Sequence, residues 1–190
     1  IKGRLRQLVT AIAILLAVLM AAALMMLVSY NRHYARLLHN VTTASEFNRE
    51  FKNSIDQKMY YYVIESQYSQ GLPIEEVRDA QTLAKSLRAT TTRKNSRQAI
   101  TSVLDLCENL EGKIYQIEKT SDYDQRLSQL ENNVYILTSL VEEYMYTYLY
   151  YEAAELNAVQ QTATRQMAGE IAVIALVAAL TLAFTLRYSI

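Results

Sequence analysis

Two uncharged apolar stretches constrain this chain more than any other feature. Residues 8–28 form the first and residues 171–186 the second, and the segment between them is polar with helical periodicity. A hydrocarbon core of roughly 30 Å requires about 20 apolar residues in a helix. The first stretch meets this length alone, and the second meets it when extended from Met167 to include Glu170, whose carboxylate can reach the interface. We therefore expect transmembrane helices at 8–29 and 167–186.

Basic residues in the short flanks predict the orientation. They are Lys2, Arg4, Arg6 and Arg187. Short basic flanks stay in the cytoplasm, so we expect both termini there, with residues 1–7 as a cytoplasmic flank and residues 30–166 outside the plasma membrane. Arg32 and Arg36 oppose this orientation. The alternative for the first stretch is a cleaved signal peptide, but its apolar run is longer than that of most such peptides.

The composition predicts an all-α protein. Hydrophobic residues make up 51%, and the chain has four glycines, one proline and no tryptophan, which leaves little turn or strand punctuation. The 19 basic and 19 acidic residues form no basic face for nucleic acid.

The segment between the apolar stretches is predicted to form four helices, at about 30–69, 73–91, 96–119 and 122–166. Gly71-Leu72-Pro73 ends the first, and the turn before the fourth contains Asp122 as a cap. The seam of the third comprises Ile100, Val103, Cys107, Leu110, Ile114 and Ile117. The seam of the fourth follows a heptad pattern through Leu127, Leu130, Val134, Leu137, Val141, Tyr144, Tyr148 and Tyr151. We expect an antiparallel four-helix bundle that is continuous with both membrane helices.

Helix lengths predict a homodimer. The first and fourth helices are about twice as long as the other two, so the bundle is complete only in its half distant from the membrane. Nearer the membrane, one chain offers too few partners for the apolar side chains of its long helices. These side chains are Leu37, Leu38, Val41, Leu156 and Val159. A parallel homodimer would bury them in a second four-helix layer.

Two resemblances suggest a bacterial receptor. The ending Leu186-Arg187-Tyr188-Ser189-Ile190 resembles the start of a HAMP linker at 187–190, the relay that follows the last membrane helix of many receptors. Dispersed positions between 30 and 155, such as Asn40-Val41-Thr42-Thr43-Ala44 and Glu143-Tyr144-Met145-Tyr146, resemble the extracytoplasmic segment of YesM-like sensor histidine kinases. This resemblance implies an extracellular sensor, a cytoplasmic kinase and a response regulator as partner. No kinase motif is present in these residues.

Tyrosine occurs 15 times against three phenylalanines. One interpretation is a core and dimer seam built with tyrosine, whose hydroxyl can reach solvent. The other is a ligand pocket walled by aromatic rings between helices. The candidate ligand-binding residues are Tyr62, Tyr144, Tyr148 and Tyr151.

No catalytic site, metal site or cofactor is predicted. Cys107 is the single cysteine and is expected to be buried. His33 and His39 do not have the spacing of a helical metal pair. Four carboxylates of the fourth helix could bind cations, but they are expected to form its solvated face; they are Glu142, Glu143, Glu152 and Glu155.

The predicted function is therefore stimulus sensing and transmembrane signalling by relative motion of the first and fourth helices. The stimulus is an unidentified extracellular ligand or partner protein. The polar residues Asn48, Lys58 and Glu155 interrupt the seams and are candidates for keeping two packings close in energy. Two alternatives remain, the sensor region of a methyl-accepting chemoreceptor and a structural or accessory membrane tether.

Overall fold

The computed structural model describes the backbone of residues 2–189 and the side-chain surroundings of residues 10–184 and Arg187. The predicted flank at 1–7 and most of the predicted linker at 187–190 have side chains outside this range. Helix α1 is Lys2–Val63, α2 is Ile74–Thr90, α3 is Lys94–Glu118 and α4 is Tyr123–Gln129; a π-helical turn, Leu130–Val134, joins α4 to α5, Tyr135–Ser189. No strand occurs in residues 2–189, so the all-α prediction is confirmed.

The described chain divides into two units. The packed unit is Arg36–Glu155, and the apolar unit comprises the helix residues up to Ala35 together with those from Leu156 onward. Helices α1 and α5 each have residues in both units, whereas α2, α3 and α4 lie in the packed unit alone.

The packed unit is built around one hydrophobic core to which α1, α2, α3, the π turn and α5 all contribute. Its most enclosed side chains include Ile55, Met59, Ile100, Leu110 and Leu130. All six predicted seam positions of α3 are buried, including Cys107, which confirms that pattern.

Polar contacts connect neighbouring helices at the rim of this core. Lys58 pairs with Glu76, Thr138 donates to Asp56 at 2.7 Å, and Arg78 pairs with Glu111 at 2.9 Å.

Helix α1 ends at Val63 rather than near Ser69 as expected. The N–H of Ser66 donates to the carbonyl of Tyr61 at 3.0 Å, and the N–H of Glu65 donates to that of Tyr62 at 3.2 Å. Glu65 has a φ of 52°, so these bonds form a Schellman motif with a non-glycine residue in the left-handed position. A glutamate gives no sequence signal for such an ending, which explains the error.

Arg126 of α4 stabilises this helix end. Its guanidinium donates to the carbonyl of Tyr62 at 3.1 Å and to the Glu65 carboxylate at 3.0 Å. It also lies 5.2 Å from the centroid of the Tyr62 ring. A cation near the last carbonyls of a helix is favourable because the helix dipole is negative there.

The π turn interrupts the fourth predicted helix. The Asn132 side-chain amide donates to the carbonyl of Ser128 at 2.9 Å. In an α-helix, this carbonyl would instead accept the backbone N–H of Asn132. The N–H of Tyr135 donates to the carbonyl of Leu130, the i to i−5 bond of a π-helix. Residues 123–189 are therefore helical throughout but not α-helical throughout.

The buried seam of the π turn and α5 also departs from the heptad prediction. Leu130, Val134, Leu137, Val141 and Tyr148 are buried as expected, but Met145 takes the place predicted for Tyr144, and Glu152 is buried one position after Tyr151. An α-helix has 3.6 residues per turn, so a heptad pattern drifts around a straight helix. Tyr144 is 39% exposed as a result.

In the apolar unit, large apolar side chains are exposed. No described residue of the apolar stretches at 10–28 and 171–184 is buried, and Met25 is 73% and Ile171 67% exposed. Both helices are long and apolar enough to cross a membrane. Such exposure is unfavourable in water and favourable in lipid, which supports a two-pass membrane protein.

The shifted seam leads to a stability prediction. Met145→Ala should lower the free energy of unfolding by about 2 to 5 kcal/mol because it leaves a cavity in the core. Tyr144→Ala should change it by no more than about 0.5 kcal/mol, as expected for an exposed side chain. Thermal unfolding of each variant in detergent, followed by circular dichroism, measures the difference. A larger loss in Tyr144→Ala than in Met145→Ala would mean that the heptad prediction describes the core better.

Candidate functional site

A group of buried polar side chains lies where the turn between α2 and α3 meets α1 and α5. We call it the polar layer and define it as Asn40 of α1, Thr91 of the turn, and Tyr148 and Glu152 of α5. Each is at most 4% exposed. The layer lies within the packed unit and replaces apolar contacts that the same positions would otherwise make.

Thr91 and Tyr148 form the centre of the polar layer. The Thr91 hydroxyl donates to the carbonyl of Leu87 at 2.7 Å and lies 3.1 Å from the Tyr148 hydroxyl. Either hydroxyl can be the donor of this second bond, which connects α5 to the turn after α2.

Asn40 brings α1 into the polar layer. Its side-chain oxygen lies 3.2 Å from the Thr90 hydroxyl, and its amide lies near the hydroxyl of Tyr148. The Asn40 Nδ2 atom is buried and has no hydrogen-bond partner among the described residues. A buried donor without a partner costs about 1 to 3 kcal/mol, so α1 packs less favourably here than at an apolar layer.

Glu152 is the most unusual member. Its side chain is 1% exposed, and its Oε2 atom accepts no hydrogen bond from the described part of the chain. Less than one turn further along α5, Glu155 pairs with Arg93 at the start of α3. The prediction that Glu152 belongs to a solvated face was wrong. Burying a carboxylate oxygen without a partner costs free energy, so the packing of the rest of the core must offset this cost.

Burial also sets the protonation of Tyr148. Loss of hydration raises the pKa of its phenol to about 12, and the nearby Glu152 carboxylate raises it further. The Thr91 hydroxyl and the Asn40 amide act in the opposite direction, but loss of hydration outweighs them. The Tyr148 phenol therefore remains neutral at physiological pH.

The four tyrosines predicted to form a pocket are dispersed. Tyr62 lies under Arg126, whereas Tyr148 lies beside Asn40; on α1 these levels are about six turns apart, roughly 33 Å. Tyr144 is exposed. Tyr151 is half-buried and lies edge-on to Tyr150 at 5.6 Å. The structure does not bring them into one site, and a ligand role for any of them stays a prediction.

A shallow groove on α5 includes one of these tyrosines. It has a volume of about 430 Å³ and is lined by Ser139, Glu142, Glu143, Tyr146, Thr147, Tyr150 and Tyr151. All of its lining residues belong to a single helix, so it is an exposed aromatic surface rather than an enclosed cavity.

The polar interruptions chosen from the sequence behave differently from one another. Asn48 is 4% exposed, and its Nδ2 atom has no hydrogen-bond partner in the described chain. Lys58 and Glu155 instead form ion pairs with Glu76 and Arg93. Sequence reasoning missed Thr91 and did not place Asn40 on the core side of α1. The spacing of Asn40, Ala44 and Asn48 at steps of four could have placed Asn40 on the same face of α1 as the other two residues.

Other chemistry is sparse. No group of three or more histidine, cysteine, aspartate or glutamate side chains suited to a metal ion occurs in the described residues. Burial raises the pKa of the Cys107 thiol to about 12, which makes it a poor nucleophile.

No protein-family model, curated protein or solved structure matches this chain.

The raised pKa of Tyr148 predicts how stability depends on pH. The phenol has an ordinary pKa of 10.0 and a pKa of about 12 when buried. The folded state therefore holds the proton more tightly, and the resulting stability is present below pH 10 and lost as pH rises towards 12. Tyr148→Phe should remove this part of the alkaline loss. Tyr144→Phe, an exposed control, should keep it. Chemical unfolding at several alkaline pH values measures both, and identical profiles for the two variants would contradict the assignment.

Proposed function

We propose that this chain is the extracytoplasmic sensing and transmembrane signalling part of a two-component sensor histidine kinase. In this proposal the packed unit is an antiparallel four-helix bundle outside the plasma membrane, and α1 and α5 carry its state across the bilayer. The observation on which the proposal depends is helical continuity. Helix α1 has no break from Lys2 to Val63, and residues 123–189 are helical without interruption. The resemblance to YesM-like sensors supplies the kinase half of the proposal.

The polar layer supplies the means of switching. A stimulus changes a two-state protein only if it favours one of two packings of similar energy. Asn40 and Glu152 place unsatisfied polar atoms between α1 and α5, which reduces the stability of the observed packing. A shift of α1 against α5 by rotation, tilt or piston motion would then require a coupling of about 1 to 3 kcal/mol, as is typical of allosteric proteins.

Homodimerisation is part of the proposal. Leu37 is 3% exposed, so the expectation that one chain cannot bury it was wrong. Exposed apolar side chains elsewhere favour a second copy. They include Leu38 at 44%, Ile136 at 52%, Tyr146 at 59% and Tyr150 at 71%. The last three lie along α5, and the aromatic area of Tyr146 and Tyr150 is of the kind enriched at interfaces.

The orientation leads to one prediction. Ser69 lies in the exposed turn between α1 and α2. In a Cys107→Ala chain, Ser69→Cys should react with a membrane-impermeant maleimide added to intact cells, because the packed unit is proposed to lie outside. The unmodified chain is the control and should not react, since Cys107 is buried. If Ser69→Cys is labelled only after the cells are made permeable, the packed unit lies inside the cell and the proposed orientation is wrong.

The switching role leads to a second prediction. Asn40→Leu with Glu152→Met replaces the two members of the polar layer that carry unpaired buried atoms and leaves Thr91 and Tyr148 in place. Each unpaired buried polar group costs about 1 to 3 kcal/mol, so its removal should stabilise the fold. We expect a raised melting temperature and a kinase output fixed at one level. Membrane vesicles with the full-length protein and radiolabelled ATP report the output as acid-labile phosphohistidine.

The control for that experiment is Glu142→Leu, a half-exposed position of the same helix. It should leave the phosphorylation level and its response unchanged. No phosphohistidine in the unmodified full-length protein would exclude the kinase and favour a chemoreceptor or a tether. A double variant that is stabilised yet still regulated would exclude the polar layer as the switch.

A further inference from the structure

A groove in the apolar unit has features of a lipid site. It lies between α1 and α5 and has a volume of about 370 Å³, within the range of small-molecule sites. Its lining residues are Leu19, Ala22, Met26, Gln166, Gly169, Glu170, Val173 and Ile174. All of them belong to the apolar unit.

The chemistry of this groove is uneven along its length. Five of the lining side chains are hydrocarbon or thioether, while Gln166 and Glu170 are polar and lie one turn apart on α5. No basic side chain lines the groove. A carboxylate near a bilayer is costly unless a cation or hydrogen-bond donors accompany it. The groove therefore fits an amphiphile with an apolar chain and an ammonium group in its head.

We propose that the groove binds a phospholipid with a primary ammonium head group, such as phosphatidylethanolamine. One acyl chain lies along Leu19, Ala22 and Val173, and the ammonium donates hydrogen bonds to the Glu170 carboxylate and to the Gln166 side-chain oxygen. The inference rests on the two apolar helices crossing a bilayer and is independent of the proposed sensing role.

A phospholipid fits the groove better than a second copy of the chain. In a parallel pair, equivalent residues lie at the same height, so a second copy would bring another Glu170 to this level. This second carboxylate would add negative charge beside Glu170, whereas a positive charge is needed there. A lipid ammonium instead provides a charge and three N–H donors.

Gly169 allows the site to be filled. A Cβ atom built at Gly169 meets no other atom within 4 Å, so a side chain can start from this position without meeting the neighbouring helix. Gly169→Leu should occupy the groove and reduce phosphatidylethanolamine retention while the helices remain folded.

The test is native mass spectrometry of the purified chain released from nanodiscs. The nanodiscs contain equal amounts of phosphatidylethanolamine and phosphatidylglycerol with identical acyl chains. The unmodified chain should retain the ethanolamine lipid with roughly tenfold preference, the size expected for one charge-assisted hydrogen bond. Glu170→Gln keeps the shape and removes the charge, so the preference should fall to about one, as a neutral amide does not attract the ammonium. Glu142→Gln, in the packed unit, is the matched control and should keep the preference.

Three results would overturn the proposal. The first is equal retention of both lipids by the unmodified chain, and the second is an unchanged preference in Glu170→Gln or Gly169→Leu. The third is efficient disulfide formation by Gly169→Cys in a Cys107→Ala chain within nanodiscs that contain both lipids, which would show that a second copy covers the groove. Cysteine labelling at Ser69 and the phosphorylation assay report on topology and sensing separately, so a failed lipid test leaves those proposals unaffected.

Discussion

Backbone hydrogen bonding in the two apolar stretches is the constraint on which the rest of the structure depends. A bilayer offers no water to the peptide group, so each N–H and C=O there must be paired within the chain. Helix α1 and the helical segment 123–189 satisfy this requirement, and neither ends where its apolar sequence ends. Both continue into the packed unit because no proline or helix-ending turn intervenes. The same two helices therefore provide the apolar surface of one unit and much of the core of the other.

Local signals predicted the elements of this fold well. The apolar stretches, Pro73 before α2 and the Asp122 cap of α4 each depend on residues close in sequence, and the Asp122 carboxylate accepts the N–H of Gln125 at 2.7 Å. The end of α1 was not predictable in this way. It requires a left-handed Glu65 that is held by Arg126, a residue distant in the sequence.

The candidate site was harder to predict than the fold because it depends on helix phase. A heptad reading places Tyr144 and Tyr151 in the core, whereas the observed phase places Met145 and Glu152 there. One position of drift thus converts a solvated glutamate into a buried one. Thr91 reaches Tyr148 through the packing of the α2–α3 turn against α5, a contact for which the sequence has no periodic signal. Lys58 and Glu155 were recognised as polar interruptions, but ion pairs accommodate both.

The π turn at Leu130–Val134 has a consequence for how α5 can move. It contains one residue more than an α-helical path of the same length, and it is held in place by the Asn132 amide bound to the Ser128 carbonyl. If that amide releases the carbonyl, the turn can close to α-helical geometry, and each residue taken up changes the azimuth of the following helix by about 100°. Closing the turn would therefore rotate α5 about its axis, and Val141, Met145 and Tyr148 would have to leave their present core positions.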